Sequence, residues 1–251
     1  LVALHAWRLR RLRAAQLLEQ TRLQAQWAER LAGEKTALVA ELSHEIRNPL
    51  NGVLGMGRLL ADQPLPLAAQ RYLALLTEAG KQLARLLDDM LDWSRLEARA
   101  APLPRESVEL GPALAPTIER YRQLALDREL QFEARLDAHC VLADAPRLLQ
   151  IVENLLSNAF KFTAAGKVSI SAAEQGERIE LLVRDSGTGL TAAQIARLFQ
   201  PFERVGNERA APGTGLGLAI SRSLAERMGG ALRVESEIGV GSCFMLLLDR
   251  A

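Results

Sequence analysis

The chain is short of the residues that staple or metallate a small protein. It has two cysteines and three histidines in 251 residues. Cys140 and Cys243 stand far apart and form no CxxC pair, which excludes a disulfide frame and a thiolate metal site and reads as reduced thiols of a cytosolic protein. His5, His44 and His139 are too scattered for zinc. An excess of either charge is missing as well. The 31 Lys and Arg against 30 Asp and Glu leave a formal net charge of +1, which gives no support to a nucleic-acid partner. What is present, 49% hydrophobic and 24% charged, is ordinary globular composition.

The chain does not begin with Met, so the expectation is a piece of a longer protein. Residues 1–7 are apolar and end in Trp7; Arg8, Arg10, Arg11 and Arg13 follow. Seven residues cannot span a bilayer. The order nevertheless matches the cytoplasmic end of a membrane helix, with Trp at the interface and arginines inside. The start of a basic coiled coil is an equal reading. Residues 8–38 carry no Pro and only Gly33, and their loose heptad of Leu and Trp27 predicts a long signalling helix that pairs with a second copy.

The next stretch carries the most chemistry. Val39, Leu42, Ile46, Pro49, Val53, Met56 and Leu60 step by three and four, the seam of a heptad helix. With Val39 at an a position, His44 falls at f, opposite the seam, and is held toward water. Asn48 and Glu41 share its face. Pro49 sits inside the run, where it removes a backbone donor and is expected to bend the helix. The helix should end near Ala61, where Gln63-Pro64-Leu65-Pro66 breaks it. A second helix to about Arg99 has Tyr72, Leu76, Ala79, Leu83, Leu86, Met90 and Trp93 in step. A hairpin with one apolar stripe per helix buries too little alone, which predicts a homodimeric four-helix bundle.

Residues 100–104 (Ala-Ala-Pro-Leu-Pro) mark a linker. Beyond it strands are predicted at 107–110, 130–136, 167–173, 178–184, 231–237 and 243–248, with helices at 112–127, 145–162, 192–198 and 216–228. Without regular β-α-β alternation, this order implies an α+β domain: a mixed sheet with helices on one face.

Four patches in this domain suit a nucleotide. On the 145–162 helix Asn154, Asn158 and Lys161 share a face while Ile151, Leu155 and Phe162 take the buried side; amide oxygens suit Mg²⁺ and a lysine suits phosphate. Asp185-Ser186-Gly187-Thr188-Gly189 puts an acceptor-only carboxylate at a strand end, able to take an adenine amino proton, with Gly187 and Gly189 permitting close approach. Gly213-Thr214-Gly215-Leu216-Gly217 runs into a helix start whose free N–H groups form an anion site. Between these, Phe199 to Val205 and a polar stretch to Pro212 form a candidate lid, with Arg204 placed to reach a γ-phosphate. The phenylalanines alternatively belong to the core. Gly239-Val240-Gly241-Ser242 is a further glycine box.

The block Ser43-His44-Glu45-Ile46-Arg47-Asn48-Pro49-Leu50-Asn51-Gly52 resembles the H-box of sensor histidine kinases, and the four later patches resemble the N, G1, F and G2 boxes of their catalytic domain, in the same order. The resemblance covers residues 34 to the end. It implies a dimerisation and phosphotransfer hairpin at 34–99, with a signalling segment at 1–33, and a catalytic domain at 105–251 of the ATP-binding sandwich type shared with topoisomerase and heat-shock chaperone ATPases. His44 would accept a phosphoryl group from ATP, with Glu45 taking the imidazole proton (Glu41 as the fallback) and Asn48 orienting water in a reverse, phosphatase reaction. Asn158 would ligate Mg²⁺, Asn154 and Lys161 would face the phosphates, and Asp185 would hold adenine. The catalytic domain would swing on its linker to reach His44. The partners implied are a second copy and a response-regulator receiver domain, and the setting is the cytoplasmic portion of an inner-membrane or hybrid sensor. A silent dimerising module and an ATPase clamp without phosphohistidine are the competing classes. Intact Asn158, Asp185 and the glycines oppose the first, and the H-box opposes the second.

Overall fold

The computed structural model describes residues 19, 33, 37–97, 103–136, 139–203 and 214–251. The expected signalling helix and most of the linker lie outside these residues. The chain divides into two compact units, Leu1–Ala100 and Ala101–Ala251.

The first unit is a helical hairpin. Helix α1 covers 37–61 and runs through Pro49 without interruption, and α2 covers Leu67–Glu97. The turn between them is closed by Gln63 N–H donating to the Leu60 carbonyl and Gln70 N–H to that of Pro66. The helices meet along a strict heptad seam: Ser43, Arg47, Leu50, Leu54 and Gly57 in α1, with Leu73, Thr77, Gly80, Ala84, Leu87, Leu91 and Ser94 in α2, all buried or half-buried. A Cβ at Gly80 would lie 2.7 Å from Leu54 Cδ2, so glycine here lets the Leu54 side chain pack directly on the α2 backbone.

This is not the stripe predicted from the apolar residues. Leu42, Ile46, Val53, Met56 and Leu60, with Tyr72, Leu76, Leu83, Leu86 and Met90, are exposed on the hairpin. The seam mixes leucines with small and polar residues, which weakens its hydrophobic signal, and the more uniformly apolar face is left outward.

The second unit is built on a five-stranded mixed sheet. Its elements are β1 (Glu106–Glu109), α3 (Leu110–Asp127), β2 (Gln131–Arg135), β3 (Cys140–Ala143), α4 (Ala145–Phe162), β4 (Lys167–Gln175), β5 (Arg178–Asp185), α5 (Ala192–Arg197), α6 (Gly217–Arg227), β6 (Ala231–Glu237) and β7 (Gly241–Asp249). The sheet order is β2-β4-β5-β7-β6, with β2 parallel to β4 and every other pairing antiparallel; β1 and β3 form a separate two-stranded ribbon. One sheet face, carrying Ile170, Leu181, Val183, Phe244 and Leu246, is buried. Helices α3, α4 and α6 pack against the sheet. This is the expected α+β arrangement, with β3 as an addition.

Helix α4 shows why the layer forms. Asp144 caps it by accepting the Arg147 N–H at 3.0 Å, and a proline stands in the first turn. Leu148, Ile151, Val152, Leu155, Leu156, Ala159 and Phe160 recur at helical spacing and are all buried. Phe160, packed on Tyr121 and Phe132, takes the inward place expected for Phe162, which is exposed. Spacing alone does not separate the two: Phe162, seven residues after Leu155, keeps the period of the buried face but is the last residue of the helix, where its ring lies exposed.

Candidate functional site

In the hairpin unit, His44 is exposed on α1, and Glu41, Glu45 and Asn48 are exposed with it. Glu41, His44 and Asn48 share one face at helical spacing. Arg47, three residues on, reaches across the hairpin to Asp88 at 2.5 Å. Pro49 has no N–H, so the carbonyl of Glu45 lacks its usual helical donor. The neighbourhood of His44 therefore combines a solvent-facing imidazole, two carboxylates and an amide.

In the sheet unit, the candidate residues gather where β5 ends. Asp185 is buried at 7% exposure, and its Oδ1 accepts the Gly187 N–H at 2.8 Å. Burial pushes this carboxyl upward from the usual carboxylate range, against the opposing pull of the Gly187 and Ser242 N–H groups. The glycines around it are there for space. A Cβ at Gly187 would lie 2.8 Å from Asp185 Oδ1 and overlap the Phe162 carbonyl; at Gly189, which has φ +66, it would overlap the Glu237 carbonyl; at Gly241 it would overlap the carbonyl of Asp185 itself. Two serines hold the rim: Ser236, absent from the sequence reading, and Ser242, named there only as the end of the glycine box. Ser236 Oγ accepts the Leu190 N–H at 2.9 Å and donates to the Gly241 carbonyl at 2.8 Å, with Ser242 Oγ 3.0 Å away. The Gly239–Gly241 box was their only sequence signal.

The α4 face is divided among different partners. Asn158 is half-buried. Lys161 Nζ sits 5.0 Å over the Phe162 ring, and Asn154 Nδ2 donates to Ser221 Oγ of α6 at 2.9 Å. Helix α6 begins at Gly217, and its N-cap Leu216 provides no side-chain cap, an arrangement that suits a helix start facing an anion. Gly215, at φ +73, lets the 202–203 backbone come against the helix start. Thr214 Oγ1 accepts the Leu216 N–H at 3.1 Å. Phe199 lies under the Arg222 guanidinium, 5.4 Å from ring centroid to Cζ, while Phe202 is exposed and held at φ +63. Phe202 is thus no core residue. Arg204 and Gly213, with the lid between them, lie outside the described residues.

The arrangement suits a nucleotide: a buried carboxylate acceptor, glycines whose Cβ positions are already filled by backbone, and an uncapped helix start. Among the described residues no group of three or more His, Cys, Asp or Glu could hold a metal. An amide oxygen such as Asn158 suits a Mg²⁺ that keeps its waters and the nucleotide's own oxygens.

Two known families match, one within each unit. Residues 34–99 match the His Kinase A (phospho-acceptor) domain, and residues 143–251 match the histidine kinase-, DNA gyrase B- and HSP90-like ATPase family. The chain is 40% identical over 226 residues to the sensor protein TorS of Escherichia coli (strain K12), covering 88% of this chain and 24% of that protein. It is 35% identical over 227 residues to the aerobic respiration control sensor protein ArcB of the same strain, covering 88% and 29%. Among solved structures, full-length ShkA in complex with AMPPNP superposes with TM-score 0.73 at 37% identity, over 86% of this chain and 46% of that one. The mycobacterial sensor histidine kinase MprB does so with TM-score 0.53 at 29% identity, over 58% and 98%. The chain therefore spans less than a third of the length of these two curated relatives. With a phospho-acceptor hairpin followed by an ATPase domain of this type, the chain belongs to the sensor histidine kinases.

Proposed function

We propose that the chain phosphorylates itself on His44 from ATP and passes the group to an aspartate of a response-regulator receiver domain. The observation that carries this reading is the pairing, in one chain, of a solvent-facing His44 on a hairpin with a buried Asp185 surrounded by closely packed glycines. Asp185 takes the adenine amino proton. The α6 start, Lys161 and, from the lid, Arg204 face the phosphates, with Gly213 at the lid's end. Asn158 holds Mg²⁺, which supplies charge neutralisation when bound. A ring nitrogen of neutral His44 attacks the γ-phosphorus. A nitrogen–phosphorus bond forms, the bond to the β,γ-bridging oxygen breaks, and ADP leaves. The other ring nitrogen gives its proton to Glu45, with Glu41 as the alternative acceptor. Asn48 orients water when the receiver is dephosphorylated. The outward apolar stripe of the hairpin supports a homodimer, and the 1–7 segment supports attachment to an inner-membrane sensor. No described helix is itself long and apolar enough to cross a membrane.

Incubation with γ-labelled ATP and Mg²⁺ tests this. Label on the protein that is acid-labile, base-stable and lost in both His44→Gln and Asn158→Ala is the expected result. Nucleotide binding without any labelling would move the assignment to a phosphatase or a docking module.

A further inference from the structure

The half-buried Ser236 is tied to Asp185 through a single peptide group. Asp185, Ser242 and Ser236 stand in one row across β5, β7 and β6: Asp185 pairs with Ser242, and Ser242 with Ser236. Val183, Phe244 and Val234 form the next row on the same face. The Ser236 hydroxyl donates to the Gly241 carbonyl at 2.8 Å and accepts the Leu190 N–H at 2.9 Å. With its one proton given to Gly241, it takes that of Ser242 Oγ, 3.0 Å away. The Gly241 carbonyl and the Ser242 N–H belong to one peptide, and a trans peptide directs these two groups to opposite sides. The carbonyl turns toward β6 and Ser236. The N–H turns toward β5, where the Asp185 carboxylate accepts it.

We infer that Ser236 is a positioning residue for purine recognition: through the Gly241–Ser242 peptide it fixes the Asp185 carboxylate against the 6-amino group of the base, and through the Leu190 N–H it holds the end of the 186–190 loop on β6. The inference rests on the reading of Asp185 as the acceptor of the adenine amino proton. The two donors on the carboxylate differ in what they fix. Gly187 is two residues along the same chain, so its N–H travels with Asp185. Ser242 lies on a neighbouring strand and ties the carboxylate to the sheet. Hydrogen bonds in series reinforce one another, so a proton received at the Gly241 carbonyl makes the Ser242 N–H a stronger donor. The turn beyond Ser236 closes on the same loop, where the Gly239 N–H donates to the Thr188 carbonyl at 2.9 Å.

The test compares adenosine with purine riboside, which lacks the 6-amino group, by titration calorimetry on the full chain. The ratio of the two affinities reads the amino contact, and purine riboside binding is the check on folding. The wild type should prefer adenosine by about tenfold or more, as for a hydrogen bond to a charged group. Ser236→Ala should cut that preference by about three- to tenfold, the range for one neutral hydrogen bond, with purine riboside affinity unchanged. Ser236→Thr keeps the hydroxyl and should retain the preference. Should Ser236→Ala not fold, Ser236→Cys, a weak donor, takes its place. In the wild type itself, NMR should show scalar coupling across the hydrogen bond between the Ser242 amide nitrogen and the Asp185 side-chain carboxyl carbon. An undiminished preference in Ser236→Ala, an equal loss of both nucleosides, or no such coupling overturns the inference. A wild type that binds the two nucleosides alike overturns instead the reading of Asp185 on which it rests.

Discussion

The carboxylate of Asp185 accepts the backbone N–H of Gly187 at 2.8 Å while buried at the end of β5. Function and stability pull in opposite directions at this group. Burial disfavours its charged form, and the two N–H groups only partly offset that. A raised folded-state pKa means stability is fully present below the unfolded value, about 3.9, and declines as pH rises through the folded value. Asp185→Asn removes the titration. The variant should lose adenine recognition yet be at least as stable as the wild type at pH 7, and its stability should no longer decline from this group as pH rises above about 4. Urea unfolding at several pH values, beside nucleotide titration, checks both; a variant less stable than wild type at pH 7 would sink the argument.

Gly189 and Gly176 separate two reasons for glycine. Both have positive φ, +66 and +64. A Cβ at Gly176 meets open space, while at Gly189 it would overlap the Glu237 carbonyl. Gly176→Ala should cost about 1 kcal/mol, the left-handed backbone term alone. Gly189→Ala should cost more and also weaken nucleotide binding, because the 186–190 loop must lift off β6. Equal losses in urea denaturation would show that the carbonyl yields freely.

How far the sequence foretells this molecule depends on whether a feature rests on strong side-chain signals. The bounds of helix α4 are legible because its cap, its proline and seven apolar positions agree, although Phe162 does not take the buried place expected for it. Strand β3 is not legible: it is four residues long, sits directly before the Asp144 cap, and is a strand because β1 and the bridge from Val141 to Arg250 pair with it. Long-range pairing of that kind leaves no local period. The hairpin seam escapes notice for another reason. Ser43, Gly57, Gly80 and Ser94 are buried by close helix approach and not by hydrophobicity. In the candidate site, Asp185, Gly187 and Gly189 stand out in the sequence because they lie within one five-residue stretch. The Asn154–Ser221 contact spans 67 positions and is visible only in space.

The two faces of the hairpin give a contrast in oligomeric state. Leu42, Ile46, Val53 and Met56 are exposed, whereas Leu87 is buried in the seam. Ile46→Glu with Met56→Glu should convert a dimer to a monomer in sedimentation, with the sheet unit still binding nucleotide. Leu87→Ala should instead lower hairpin stability, by about 2–5 kcal/mol for a buried leucine, without itself altering the outward face. A charged double variant that sediments as the wild type does would place the dimer contact elsewhere.

Glu153, next to Asn154, joins α4 to α3. Its Oε1 accepts the Thr117 hydroxyl at 2.9 Å, its Oε2 pairs with Arg120, and the Tyr121 hydroxyl approaches its backbone carbonyl at 3.4 Å. The three side chains differ in burial. Thr117 is buried, Glu153 is one-third exposed and Arg120 is more than half exposed. Solvent screens the ion pair, so Arg120→Ala should cost under about 1 kcal/mol, and less still in high salt. Thr117→Val keeps the shape and removes the donor. Glu153 retains Arg120, so the cost should again be about 1 kcal/mol. Glu153→Ala leaves the buried Thr117 hydroxyl without its acceptor and should cost the most, about 1–3 kcal/mol. Urea denaturation of the three variants at low and high salt checks the order; an Arg120→Ala loss equal to that of Glu153→Ala, and insensitive to salt, would make the ion pair the main tie between α3 and α4.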